Sequence, residues 1–105
     1  MRVLLDESLP REVKEQLSVH EVQTAPEVGW SGKKNGELLS LMAANKFEVL
    51  LTTDRNLRYQ QNLAIHQISI IVMLAASNRL ADLLPLVPKV ELALKNLIPG
   101  SVVEV

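Results

Sequence analysis

Four short runs rich in Val, Ile and Leu recur along the chain, at Val3–Leu5, Val49–Leu51, Ile68–Leu74 and Val102–Val105. Apolar and polar positions do not alternate within them, which is the pattern of strands covered on both faces. A weaker fifth run, His20–Thr24, lies between the first two. Elsewhere the spacing becomes helical: Leu38, Leu39 and Met42 follow Asn35-Gly36-Glu37, and Val87, Val90, Leu94 and Leu97 recur near the end. Alternating strands and helices predict a mostly parallel sheet, so the expected fold is a three-layer α/β sandwich of about five strands. The pattern leaves the strand order open.

Punctuation supports these boundaries. Pro10 is suited to open the first helix, Asn35 to cap the second, Asp54 to cap a short third, and Ser77 or Asn78 to cap the last. Pro85 and Pro88 are incompatible with one continuous helix, so a break is expected, with a new helix starting near Pro88. Pro99-Gly100 stops the chain before the final strand. No internal repeat, linker or low-complexity segment is present.

Composition narrows the function classes. A chain of 105 residues, 48% of them hydrophobic, fits a single domain over 1–105 that buries roughly two-thirds of its unfolded surface. Eleven basic residues against twelve acidic ones create no global positive field, so contact with nucleic acid requires a local patch. The absence of cysteine excludes disulfides, thiolate metal sites and a thiol nucleophile. Asp6 interrupts the first apolar run too early for a secretory signal. The run Ile70–Ala76 is far shorter than the roughly 20 residues that cross a bilayer. A soluble, cytoplasmic protein with no membrane contact is expected.

Ligands of open α/β sheets bind beyond the carboxyl ends of the strands, and the acids of this chain fall there. Asp6 and Glu7 follow the first strand, Asp54 follows the Val49–Leu51 strand, and Glu37 lies in the first turn of the helix preceding that strand. Carboxylates brought together repel unless a cation sits among them, and hard divalent ions favour all-oxygen surroundings. Asp6, Asp54 and Glu37 are therefore candidate metal ligands. Each also has an ordinary reading: Asp54 as a helix cap, Glu37 as an acid favoured by the helix dipole. Asp6 is harder to explain that way, because a carboxylate ending a buried strand is costly without a partner. Thr52 and Thr53 place hydroxyls beside Asp54, suited to orient that carboxylate or a metal-bound water, and both fit equally as strand residues.

Lys33, Lys34, Arg55, Arg58 and Arg79 lie on segments near the expected crevice, where they can contact phosphate or simply face solvent. Trp30, in the Glu27–Gly32 loop, is either a packing anchor or, like Tyr59, a base-stacking platform. His20 and His66 have no partner at metal-ligand spacing. No phosphate-binding glycine loop or Ser-His-Asp set occurs.

Taken in order, Val3-Leu4-Leu5-Asp6-Glu7-Ser8-Leu9-Pro10, Val28-Gly29-Trp30-Ser31-Gly32, Asn35-Gly36-Glu37-Leu38-Leu39 and Leu50-Leu51-Thr52-Thr53-Asp54-Arg55-Asn56-Leu57 resemble a family of small PIN-like proteins. That family is related to VapC-type toxins and to the PIN-like C-terminal domain of Mut-seven exonucleases. The resemblance implies a Rossmann-like α/β/α sandwich and an acid cluster holding magnesium or manganese for RNA phosphodiester hydrolysis. It assigns metal binding and catalysis to Asp6, Asp54 and Glu37. It also implies a small antitoxin-like partner with a helix-turn-helix DNA-binding domain, and self-association through apolar helical faces. The chain departs from the family pattern at Asn35 and Asn56, where family members often carry Asp. Neutral amides there lower the affinity for a divalent ion, with Asn35, Asn56 and Glu7 left in supporting roles.

Three functional expectations follow. The first is a metal-dependent endoribonuclease-like toxin in which Lys33, Lys34, Arg55, Arg79 and Trp30 hold the RNA. The second is a catalytically weakened domain that binds a partner or regulates it. The third, a phosphorylated receiver, matches the acids at the strand ends but requires a lysine after the fifth strand, and Val102–Val105 contains none.

Overall fold

The computed structural model describes residues 1–17, 20–55 and 67–105, with Asn35 described through its backbone. Five strands form one sheet: β1 (Arg2–Leu5), β2 (Glu21–Thr24), β3 (Val49–Thr52), β4 (Ser69–Val72) and β5 (Val102–Glu104). All four pairings are parallel, in the order β2-β1-β3-β4-β5. The fifth, weakest run of the sequence is a true strand, at the edge of the sheet beside β1.

The missing alternation has a direct cause. Val3, Leu5, Val49, Leu51, Ile71 and Met73 point into one apolar core, whereas Leu4, Leu50, Ile70 and Val72 point into a second on the opposite face. Successive side chains of each strand thus enter different cores, and both must be apolar.

Helices α1 (Glu12–Gln16), α3 (Leu80–Leu83) and α4 (Val87–Lys95) cover the first face with Val13, Leu83, Val90 and Leu94. Helix α2 (Asn35–Ala44) covers the second with Leu38, Leu39 and Met42. A 3-10 turn, Leu84–Leu86, separates α3 from α4, and Pro88 sits in the first turn of α4. There its missing N–H costs no helical hydrogen bond, so the expected restart near Pro88 is observed.

Two expected caps differ. Lys34, not Asn35, occupies the N-cap of α2, and the helix begins at Asn35 with the Leu38 N–H donating to the Lys34 carbonyl at 2.8 Å. Arg79 occupies the N-cap of α3, while Ser77 acts one step earlier: its Oγ accepts the Arg79 N–H at 3.0 Å and donates to Asp82 Oδ2 at 2.5 Å. The short helix expected after Asp54 and the residues Asn56, Arg58, Tyr59 and His66 lie outside the described residues. Among those described, no helix is long and apolar enough to cross a membrane.

Helix α2 ends in a two-bond cap. The Lys46 N–H donates to the Ala43 carbonyl and the Phe47 N–H to the Met42 carbonyl, with Lys46 at φ 63°. This closure usually carries glycine at the left-handed position. Here Lys46 takes the strained conformation, and Phe47 is delivered into the second core.

Candidate functional site

The strand order decides which loops meet. β2 lies on one side of β1, and β3 returns to the other side, so the topological switch falls between β1 and β3. Loops leaving these strands diverge and open a crevice at their carboxyl ends. Asp6 is the first residue past β1, its N–H donating to the Leu51 carbonyl at 3.0 Å. Asp54 lies two residues past β3.

The Asp6 carboxylate is held on one side only. Oδ2 accepts hydroxyl hydrogen bonds from Ser8 at 2.8 Å and Thr52 at 3.0 Å. Oδ1 accepts none from the described residues. Thr52, 1% exposed, also accepts the Asp54 N–H at 3.0 Å through the same hydroxyl. One buried threonine therefore orients the acid ending β1 and the backbone of the acid following β3. The expected role of Thr52 beside a carboxylate is met, but the carboxylate is that of Asp6.

Thr53 faces the other way along the sheet edge. Its hydroxyl donates to Asn78 Oδ1 at 2.6 Å, tying the end of β3 to the loop that follows β4. Asn78 was expected only as a helix cap. Thr53 was expected, with Thr52, to place a hydroxyl beside Asp54, and it meets Asn78 instead; Ser8 is the member of this site that no motif singled out. The only local signals were Ser8 two residues past Asp6 and the paired threonines before Asp54.

The other candidates are placed as follows. Glu37 is exposed and pairs with Lys33 at 3.8 Å, one helical turn away, so that both charges face along α2. Glu7 Oε2 accepts the Gly32 N–H at 2.9 Å and bridges two loops. Gly32 has φ 77°, a conformation that glycine adopts without strain. Lys34, Arg55 and Arg79 are exposed. Trp30 packs edge-on against Phe47, with centroids 5.6 Å apart and planes at 69°. The Trp30 backbone N–H donates to the Ala25 carbonyl just past β2, and its ring reaches Phe47, which precedes β3. The packing-anchor reading of Trp30 is the one observed. His20 Nε2 lies 3.0 Å from Glu91 Oε2, joining the start of β2 to α4.

Glu27 is a further structural acid. Its carboxylate accepts Lys14 Nζ at 2.8 and 3.0 Å and the Thr24 N–H at 2.7 Å. The Lys14 hydrogen bond, followed by the Thr24 bond, holds its pKa below the usual glutamate value.

Two clefts lie nearby in the fold. One, of about 390 Å³, runs between α4 and β5 beside Leu92 and Val103. The other, of about 340 Å³, lies by Leu9, Arg11, Thr24 and Glu27. Neither is lined by Asp6, so the chemistry of the candidate site rests on its donor and acceptor groups.

Among the described residues, no three His, Asp or Glu side chains form a metal-holding group. The fold brings Asp6 and Asp54 to neighbouring strand ends and leaves Glu37 with Lys33. The Asp6 carboxylate with its hydroxyl partners, and an Asp54 whose backbone is tied to the same Thr52 hydroxyl, offer oxygen donors of the kind that fit a hard divalent ion keeping several of its waters. These features define a parallel α/β sandwich with an acidic group at its switch point. Searches against family models, curated proteins and solved structures find no match to this chain.

Proposed function

We propose that this chain is a PIN-like, magnesium- or manganese-dependent endoribonuclease-like hydrolase, acting in the cytoplasm as the toxin of a toxin–antitoxin pair. The observation that carries this reading is the Asp6 carboxylate. Ser8 and Thr52 fix its Oδ2 at the carboxyl end of a central strand, and no described residue donates to its Oδ1. An acid oriented so strictly, at a switch point and beside a second acid, is suited to a cation rather than to stabilising the fold.

Asp6 and Asp54 are the residues that would hold the ion. When bound, the ion would supply a water acidic enough to ionise near neutral pH and would offset negative charge on the phosphoryl oxygens. The work of the chain itself is orientation. Ser8 and Thr52 prevent the Asp6 carboxylate from rotating, and Thr52 keeps the Asp54 backbone in register with it. Lys34, Arg55 and Arg79 offer exposed positive charge to the RNA backbone without reading its sequence. An antitoxin-like partner would silence the site by placing a basic side chain against Asp6 and Asp54.

A second reading has its own support. The neutral amides Asn35 and Asn56, where the resembled family often carries Asp, lower the charge available to a divalent ion and support a weakened, partner-binding subunit. Manganese calorimetry on wild type and Asp6→Asn, with cleavage of single-stranded RNA followed in the same samples, separates the two. The hydrolase reading expects binding of an ion that is lost in Asp6→Asn, and cleavage reduced about 100-fold or more. Equal RNA turnover by both folded proteins establishes the partner-binding reading instead.

A further inference from the structure

The two consecutive threonines at the end of β3 act on opposite sides. Thr52 donates to Asp6, on the β1 side, and Thr53 donates to Asn78, on the β4 side. Because Asn78 Oδ1 accepts the Thr53 hydroxyl, the amide is oriented and its Nδ2 hydrogens are directed away from that bond. No described residue accepts them. The loop that carries Asn78 is itself held, since Ser77 accepts the Arg79 N–H and donates to Asp82. The adjacent Arg79 guanidinium forms no ion pair among the described residues. The carboxyl end of the sheet thus carries the Asp6 carboxylate past β1 and the Asn78 amide and exposed Arg79 past β4, with β3 and its two threonines between them.

We infer that Asn78 is a substrate-binding residue, its Nδ2 donating to a non-bridging phosphoryl oxygen of an RNA phosphodiester, with Thr53 as its positioning residue. The inference rests on the hydrolase reading for the identity of the substrate. A phosphodiester has the matching polarity: its anionic oxygens suit the amide and Arg79 on one side, and a cation between it and the acids suits the other. Asn78 is exposed, so its bond to Thr53 contributes little to stability. Its main consequence is to aim the amide.

The test uses fluorescence anisotropy with a labelled single-stranded RNA in calcium, which fills an oxygen site but is a poor source of metal-bound hydroxide, alongside cleavage of the same RNA in manganese. The proteins are wild type, Asn78→Asp, Asn78→Ala, Thr53→Val, Thr53→Ser and Asp6→Asn. Asn78→Asp keeps the shape and Oδ1 but replaces the donor with a charge that repels phosphate, and is expected to weaken binding about tenfold or more. Asn78→Ala and Thr53→Val weaken it by smaller factors, and Thr53→Ser restores it. Melting temperatures stay close to wild type throughout. Asn78 variants that bind RNA like wild type, or that change only the melting temperature, overturn the inference by reducing the Thr53–Asn78 bond to a loop tie. Weakened binding in the Asn78 variants without any metal-dependent cleavage upholds the phosphate contact and removes the hydrolase reading alone.

Discussion

The two ends of the sheet carry polar groups that are used in opposite ways. At the amino end, each nitrogen of the Arg2 guanidinium faces a protein acceptor. Nη1 donates to the Asn45 carbonyl at the end of α2, Nη2 donates to Gln23 Oε1 at 2.7 Å, and Nε lies 3.6 Å from Glu21. Its guanidinium also covers the Phe47 ring at 4.1 Å, and Trp30 meets the same ring edge-on. At the carboxyl end the bonds are as well defined but incomplete: they orient Asp6 and Asn78 and leave Asp6 Oδ1 and Asn78 Nδ2 without a described partner. Saturated polar groups stabilise a fold, whereas groups that are oriented yet unsaturated are prepared for a ligand.

Substitutions at the two ends sharpen this contrast. The largest effect is expected at Thr52→Val, which removes a 1%-exposed hydroxyl. It removes the Thr52 hydroxyl that accepts the Asp54 N–H and leaves Asp6 Oδ2 with Ser8 alone, a loss of about 2 kcal/mol. Chemical denaturation reads that loss, and metal-dependent RNA cleavage is expected to fall with it. A Thr52→Val protein with full cleavage would show that Asp6 needs no orientation.

Arg2→Met keeps much of the aliphatic packing and removes the hydrogen bonds and the cation over Phe47, lowering stability by about 1–2 kcal/mol. RNA affinity should not change. A marked loss of RNA binding in this folded variant would erase the distinction between the two ends.

The smallest effect concerns acid stability. Folding lowers the Glu27 pKa, chiefly through Lys14, so the folded protein binds that proton less readily than the unfolded chain. The resulting stabilisation is complete above the ordinary glutamate range and is lost as pH falls through the lowered folded value. Glu27→Gln should therefore flatten the acidic limb of the stability profile while leaving the neutral region changed by a few tenths of a kcal/mol, as for other exposed pairs. An unchanged acidic limb would remove Glu27 from the account of acid unfolding.

Much of this architecture was legible in the chain. Five apolar runs marked five strands, and their lack of alternation marked a sheet with two covered faces. Pro88 marked the start of α4, and Asp6 and Asp54 stood out as acids at strand ends. Glu37 shows where local reading stops: its spacing suits a metal site, but its helix turns it toward Lys33. Asn78 shows the reverse, since nothing near it in sequence distinguishes it from a helix cap. Periodicity and punctuation reflect burial and backbone conformation within a few residues, so the sequence by itself determined the α/β class, the elements and the strand-end position of the acids. Strand order depends on crossovers between distant segments. Only the tertiary structure set β3 between β1 and β4, and with it the choice of Thr52 for Asp6 and Thr53 for Asn78.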